Sequence, residues 1–96
     1  MNHENIRHLE KVMKGLGNSR RLRIIRALVK GKELSVGDIA ESIELSFTAT
    51  SKHLNLLYKS DMLDRRQKSL VVYYRIADDL SDFMKYIVST ISNSRE

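Results

Sequence analysis

Four polar or charged side chains recur at helical spacing in the middle of the sequence: Thr48, Ser51, Lys52 and Asn55. Spacings of three and four residues place side chains on one face of a helix, so these four share a face from which the apolar Leu54 points away. Hydroxyl and amide groups beside a cation suit hydrogen bonding to the base edges and phosphates of a nucleic acid. The pattern therefore predicts a helix whose polar face binds a polyanion.

Other kinds of chemistry lack the residues that they need. The sequence has no cysteine, no glycine-rich phosphate loop and no His-Glu-x-x-His motif, so we expect neither enzymatic activity nor a bound cofactor. His53 adjoins the polar face and is interpreted as a packing or phosphate contact. His3 and His8 are five residues apart and do not share a helix face. No metal site is predicted, although a metal held by these two histidines across two subunits is left open.

The charge of the chain is positive and unevenly distributed. The net charge is +5 and the isoelectric point is near 9.7. Residues 1–30 hold eight basic and two acidic side chains, residues 47–75 hold six and two, and the segments 31–46 and 76–96 are acidic overall. Two basic blocks favour a partner rich in phosphates, although many small domains are mildly basic without such a partner.

The length and hydropathy of the chain indicate one domain outside the membrane. Ninety-six residues suffice for a single domain with one core, and we assign residues 1–96 to it. The longest apolar run, residues 70–74, is too short to span a bilayer, and the N-terminus shows no signal-peptide pattern. We therefore expect a cytoplasmic protein without membrane contact.

Apolar periodicity, glycines and capping residues predict five helices. In chain order they are residues 4–14 ending at Gly15 and Gly17, a helix from Asn18 or Ser19 to Gly31, a short helix opened by Ser35, a helix over 47–59 capped by Ser46, and a final helix from Asp79. A tight turn, Glu44-Leu45-Ser46, joins the third helix to the fourth, so the polar face lies at the start of the fourth helix.

Between the fourth and fifth helices the sequence changes to an alternating pattern. Residues 70–76 alternate and are rich in β-branched and aromatic side chains, which predicts a strand. Residues 62–66 are its predicted antiparallel partner, connected through residues 67–69. Long cationic side chains on this hairpin suit DNA phosphates or the minor groove, and they are Arg65, Arg66 and Lys68.

Two short helices joined by a three-residue turn, followed by a basic hairpin, are typical of a winged helix-turn-helix. The expected fold is mainly α with a β-hairpin: about five helices and a two-stranded wing. In this fold the start of the second short helix enters the major groove, which predicts binding to double-stranded DNA. The alternative is a protein-interaction module whose basic face binds an acidic protein, and binding unaffected by competitor DNA would favour it.

Four segments resemble the ArsR/SmtB family of dimeric winged-helix repressors in order and spacing: residues 16–25, 33–40, 45–54 and 72–75. The most specific parts are Ser-Lys-His-Leu at 51–54 and Val-Tyr-Tyr-Arg at 72–75. The resemblance covers roughly residues 6–91. It implies a homodimeric regulator that represses transcription from a palindromic operator. By position, it implies DNA contacts at Phe47, Thr48, Ser51 and Lys52.

The sequence departs from the metal-sensing members of that family. Ser35 and Gly37 stand where those members have two cysteines, and neither residue ligates a soft metal. The last helix keeps three aspartates near its start but no histidine, and the helix dipole explains them: Asp78, Asp79 and Asp82. Asp61 and Ser69 stand where glycine is common in the family. The sequence identifies no inducer.

The apolar stripe of the last helix predicts a second copy of the chain as a partner. The stripe is too wide for one small core to cover, so part of it is expected to face another subunit. The resemblance implies that the first and last helices pair across the two-fold axis. The predicted interface residues are Ile6, Leu9, Leu80, Phe83, Met84, Ile87, Val88 and Ile91.

Overall fold

Within residues 5–95, which the computed structural model describes, five helices and three short strands follow one another. In chain order they are α1 (Ile6–Leu16), α2 (Ser19–Gly31), β1 (Glu33–Ser35), α3 (Val36–Ile43), α4 (Phe47–Lys59), β2 (Leu63–Lys68), β3 (Val71–Ile76) and α5 (Asp82–Ser92). The predicted helices and the two-stranded wing are confirmed, and a third strand extends the wing into a small sheet.

Each of these helices begins after a residue whose side chain accepts a hydrogen bond from a backbone N–H in the first turn. The capping residues are Asn5, Asn18, Ser35, Ser46 and Ser81. Such a cap stabilises a helix by about 1 kcal/mol. The caps confirm the predicted starts at Ser35 and Ser46 and, of the two predicted candidates Asn18 and Ser19, identify Asn18.

Two predicted helix boundaries are wrong. The first helix continues through Gly15 to Leu16, because this glycine lies where α1 packs against the end of α4. A Cβ atom at Gly15 would lie 3.1 Å from Met62 Cε, so the glycine permits close packing rather than ending the helix. The last helix begins after Ser81 and not at Asp79, so Leu80 precedes it.

The three strands form an antiparallel sheet in the order β1-β3-β2. β1 was not predicted, because three residues are too few to show an alternating pattern. In the hairpin, Leu63 is opposite Ile76 and Lys68 is opposite Val71. The turn therefore consists of residues 69–70, and the predicted connection over 67–69 is wrong by one to two residues.

Four of the described non-glycine residues have a positive φ, namely Lys32, Glu44, Asp61 and Ser69, and the last two lie on either side of β2. Asp61, after α4, has φ 64°, and Ser69, in the hairpin turn, has φ 60°. Two-residue hairpin loops require such a conformation in order to match the twist of the strands. The turns thus keep the backbone geometry that glycine favours, although both residues carry a side chain.

The hydrophobic core lies where α2 packs against α3, α4 and α5 and is covered on one side by the sheet. Its most deeply buried side chains come from α2, α3, α4 and β2, and α5 adds Met84: Ile24, Ile25, Leu28, Ile39, Leu54, Leu57 and Leu63. Among the described residues, no helix is long and apolar enough to cross a membrane. The core fixes α4 by one face and leaves its opposite face outside.

Candidate nucleic-acid interface

The turn between α3 and α4 has the geometry of a helix-turn-helix. Glu44 adopts a left-handed conformation with φ 56° and ψ 51°, and its N–H bonds to carbonyl oxygens at the end of α3. The N–H of Leu45 donates to the carbonyl of Ala40 at 3.0 Å, and Ser46 then caps α4. Because the turn is closed by these hydrogen bonds, the start of α4 is held in a fixed direction relative to α3.

The first two turns of α4 present most of the predicted contact residues outward. Phe47, Thr48 and Lys52 are exposed, and Ser51 and Asn55 are half-buried. The opposite side of the helix is anchored in the core, where Thr50, Leu54 and Leu57 are completely buried. The predicted separation of a polar face from an apolar face is therefore present.

His53 lies at the edge of that face and is oriented toward α2. Its Nδ1 is 3.2 Å from Nη1 of Arg21, whose Nε donates to the carbonyl of Gly15 at 2.7 Å. An arginine can only donate, so this contact requires an unprotonated Nδ1. The pKa of His53 is lowered, first by partial loss of hydration and then by Arg21 and Arg20. Arg21 of α2 thus links α1 to α4. Sequence reasoning missed it, because contacts between distant residues leave no pattern in local spacing.

Arg66, predicted to bind phosphates, is paired within the chain. Its Nε and Nη2 donate to the two carboxylate oxygens of Glu33, each at 2.9 Å. Its Cζ lies 5.2 Å from the centre of the Tyr73 ring, so the side chain crosses β3 to reach β1. The pKa of Glu33 is lowered, chiefly by the hydrogen bonds from Arg66. This pair ties the wing to the strand that leads into α3.

Arg65 points to the other side of the sheet. Its Cζ lies 3.9 Å from the centre of the Tyr58 ring, and its Nη1 is 3.4 Å from the Tyr74 hydroxyl. The pKa of Arg65 is raised, mainly by the contact with Tyr74. Lys68, at the end of β2, is exposed. The three cations of the wing thus differ, since two are held by neighbours and Lys68 faces solvent.

A cleft of about 380 Å³ separates the start of α4 from the wing. Its lining is mostly apolar and includes residues from α3, α4 and β3: Ser35, Val36, Gly37, Phe47, Ser51, Leu70, Val71, Val72 and Tyr74. Sequence reasoning did not identify Leu70 as a site residue. It stands in the hairpin turn and is 92% exposed.

Fewer of the predicted dimer-interface residues are exposed than the sequence suggested. Met84 is only 3% exposed and, like Ile91, packs in the core of its own chain, because side chains seven residues apart share a helix face. Ile6 and Phe83 are exposed, and the half-buried members are Leu9, Leu80, Ile87 and Val88. Tyr86, which was not predicted, is 70% exposed beside Phe83. The exposed apolar side chains of α1 and α5 are the part available to a second copy.

Among the described residues, those considered for metal binding do not assemble into a ligand set. Ser35 uses its hydroxyl as the cap of α3, and His8 Nδ1 lies 3.9 Å from Asp61 Oδ2. Asp78 pairs with Arg75 at 2.8 Å. Over residues 5–95, no three histidine or acidic side chains come together as a metal site requires, and His3 lies outside the described residues.

Comparison with known proteins connects this geometry to a family. The model of the family described as "Bacterial regulatory protein, arsR family" matches residues 18–65, which run from the cap of α2 into the wing. The cadmium resistance transcriptional regulatory protein CadC of Listeria innocua is 44% identical over 61 residues. That match covers 64% of this chain and 51% of CadC, so the chain spans about half the length of that relative.

Solved structures extend the similarity to nearly the whole chain. HlyU from Vibrio cholerae superposes with a TM-score of 0.77 at 29% identity and covers 94% of each chain. A homodimeric winged helix-turn-helix DNA-binding domain from Mycobacterium bovis has a TM-score of 0.74 at 27% identity, covering 95% of this chain and 86% of that one. The family match and these folds agree with the helix-turn-helix and wing described above. The chain therefore belongs to the arsR family of bacterial regulatory proteins.

Proposed function

We propose that the chain is a sequence-specific DNA-binding transcriptional regulator that acts as a homodimeric repressor on a palindromic operator. The observation that carries the proposal is the start of α4, whose exposed Thr48 and Lys52 stand beside a cationic wing while the rest of the helix is fixed in the core. A helix presented in this way can enter the major groove with its side chains directed at base edges.

The residues of this surface have separate roles in the proposal. Phe47, Thr48, Ser51 and Lys52 contact base edges, with Phe47 suited to a thymine methyl group. Asn55 and His53 lie further along α4 and approach the phosphates that border the groove. The wing contacts flanking phosphates through three exposed cations: Arg65, Arg66 and Lys68.

The homodimer is proposed to form through the exposed apolar side chains of α1 and α5. Phe83 and Tyr86 lie one turn apart on α5, and Ile6 is exposed at the start of α1. The Mycobacterium bovis neighbour is homodimeric, which supports a homodimer here. A two-fold axis would place two copies of α4 in successive major grooves, roughly 34 Å apart. Such a dimer bound near a promoter blocks polymerase sterically.

The proposal includes no enzymatic activity, cofactor or metal. The relatives that the chain resembles are transcriptional regulators. Ser35 and Gly37 would not supply the thiolates that soft metals prefer. An effector would act by shifting the angle between the two DNA-reading units through α1 or α5. Because its partner is the chromosome, the protein is proposed to work in the cytoplasm.

Selection from random duplex DNA tests the proposal in one experiment. We expect a recovered sequence with two-fold symmetry and half-sites about one helical turn apart. Binding to it should weaken steeply with salt and survive competition by unrelated duplex. Recovery of no preferred sequence, with binding to an acidic protein that competitor DNA does not displace, would contradict the proposal and favour an interaction module.

A further inference from the structure

Exposed apolar side chains are grouped on the surface that is formed by the start of α4 and the wing. Phe47, Leu70 and Val71 are all exposed, and all three line the cleft between α4 and the wing. Single exposed apolar residues are ordinary on protein surfaces, whereas a group of them marks a surface that is covered in the working complex. The group therefore requires a partner that offers apolar surface next to negative charge.

Leu70 projects from the tip of the wing. It is the second residue of the two-residue turn, beyond the last paired residues, Lys68 and Val71. The turn is closed by the left-handed conformation of Ser69, with φ 60°. With 92% of its surface exposed, Leu70 contributes almost nothing to the core. Its side chain is thus free to enter whatever lies beyond the tip of the wing.

The cleft fixes where the wing tip lies on DNA. Phe47 of α4 and Leu70 of the hairpin turn both line it, so the tip stands beside the start of α4. When α4 occupies a major groove, the next features along the duplex are one sugar–phosphate strand and then a minor groove roughly 6 Å wide. Lys52 follows the cleft-lining Ser51 on α4, Lys68 lies two residues before Leu70 on the wing, and both are exposed, so positive charge is close to the path of that strand.

We propose that Leu70 is an apolar wedge that enters the minor groove flanking each half-site and partly unstacks one base step. The inference rests on the proposed function, since it needs α4 in the major groove. Apolar side chains inserted between base pairs kink the duplex by roughly 20–90° toward the major groove. The occupant of the cleft is then the DNA strand itself, with its sugars against the apolar lining.

A wedge gives specificity at positions that no polar side chain reads. Pyrimidine–purine steps such as TA and CA unstack most easily, so the operator should favour them beneath the wing. Replacing that step by a stiff A-tract should weaken binding of the wild type. The same replacement should have no effect on a variant without the wedge.

Fluorescence of 2-aminopurine tests the unstacking directly. The base replaces adenines one at a time in the flanks of the selected operator, and unstacking raises its emission. We expect emission at one flanking position to rise on binding of the wild type and of Leu70→Met, and to stay low with Leu70→Ala at saturation. Leu70→Ala should also lose about tenfold in affinity, the size of one base contact. Thermal unfolding should be unchanged, because Leu70 lies outside the core.

Lys68→Ala is the matched control from the same turn. It should weaken binding to all duplexes, yet at saturation it should raise 2-aminopurine emission as the wild type does. Specific binding by the wild type, with Leu70→Ala equal to it in emission and in step preference, would overturn the wedge and leave the proposed function standing. Absence of any specific binding by the wild type would instead overturn the proposed function itself.

Discussion

The start of α4 and the wing lie side by side on one face but are built in opposite ways. Among the described residues, the side chains of Thr48 and Lys52 make no hydrogen bond or ion pair, and both are exposed. Arg66 is instead paired with Glu33, and Arg65 rests on the Tyr58 ring. Within the described chain, the polar side chains at the start of α4 are thus without partners on a rigid helix, whereas those of the wing make contacts that stabilise the wing.

The difference follows from what supports each region. The helix is fixed by its buried face, so its polar side chains are not needed for stability and remain available to select bases. A two-stranded hairpin has little core of its own, so its cations and tyrosines stabilise it through cross-strand contacts. Exposed ion pairs of this kind contribute little to stability, so the proposed phosphate contact of Arg66 would lose little by displacing Glu33.

Disruption of the proposed homodimer should have the largest effect, because a dimer would apply both regions twice. Phe83→Glu with Tyr86→Glu should give a monomer, since both changes place charge on the apolar surface of α5. Affinity for the palindrome should fall by roughly 10²–10⁴, the gain expected from linking two half-sites. Sedimentation velocity and fluorescence anisotropy measure the two effects. Lys85→Glu, on the same helix, is the control, and a double variant that remains dimeric would point to another interface.

The next largest effect is expected at the start of α4. Ser51→Ala combined with Lys52→Ala should weaken specific binding by about 2–5 kcal/mol, at roughly 1–3 kcal/mol for each base contact. Binding to unrelated duplex should change far less. Calorimetric unfolding should show a native melting temperature, and Lys59→Ala, at the far end of α4, should bind normally. Wild-type affinity of the double variant would show that α4 does not read the bases.

The wing should respond to charge without regard to sequence. Lys68→Ala should lower the slope of log K against log salt by about 0.9, the value for one phosphate contact. Glu33→Gln should act in the opposite direction, raising affinity for all duplexes by about twofold to fivefold, because Arg66 is no longer engaged by a carboxylate. Glu41→Gln removes the same charge away from Arg66 and should have a smaller effect. An unchanged slope for Lys68→Ala would place the wing off the backbone.

A smaller effect, on stability, is expected at His53, which connects the middle of α4, through Arg21, to α2. Its pKa is lowered in the folded chain, so below its ordinary value near 6.5 the unfolded chain binds more protons. The free energy of unfolding should therefore be highest above pH 6.5 and fall as the pH is lowered through that value. Urea unfolding at pH 7.5 and 5.5 measures this. His53→Gln should reduce the dependence, since an amide oxygen can accept from Arg21 without titrating.

The smallest effect on operator affinity is expected from added metal ions. Ser35 and Gly37 line the cleft between α4 and the wing and offer no thiolate. One equivalent of cadmium or zinc should leave operator affinity within about threefold, below the fivefold at which allosteric coupling usually begins. Anisotropy titrations with and without metal provide the measurement. A tenfold loss that a chelator reverses would reveal a site formed by residues that were discounted.

Local signals explain which parts of the molecule were predictable. Asn18, Ser35 and Ser46 cap helices through contacts three residues away, so sequence spacing contains the necessary information. The alternating pattern of β3 likewise identifies it as a strand. Strand β1 escaped because its pairing with β3 joins residues about forty positions apart, such as Glu33 and Arg75. Its three residues carry no periodicity of their own.

The sequence by itself determined the helices, the hairpin, the family and the polar face of α4, because these depend on periodicity and caps within a few residues. Only the tertiary structure decided which exposed polar groups form hydrogen bonds and ion pairs with distant residues. Arg66 meets Glu33 across 33 residues, and Arg21 meets His53 across 32. The packing of α5 also decided that Met84 belongs to the core and Tyr86 to the surface. Such outcomes depend on the relative placement of whole elements, which short-range spacing does not encode.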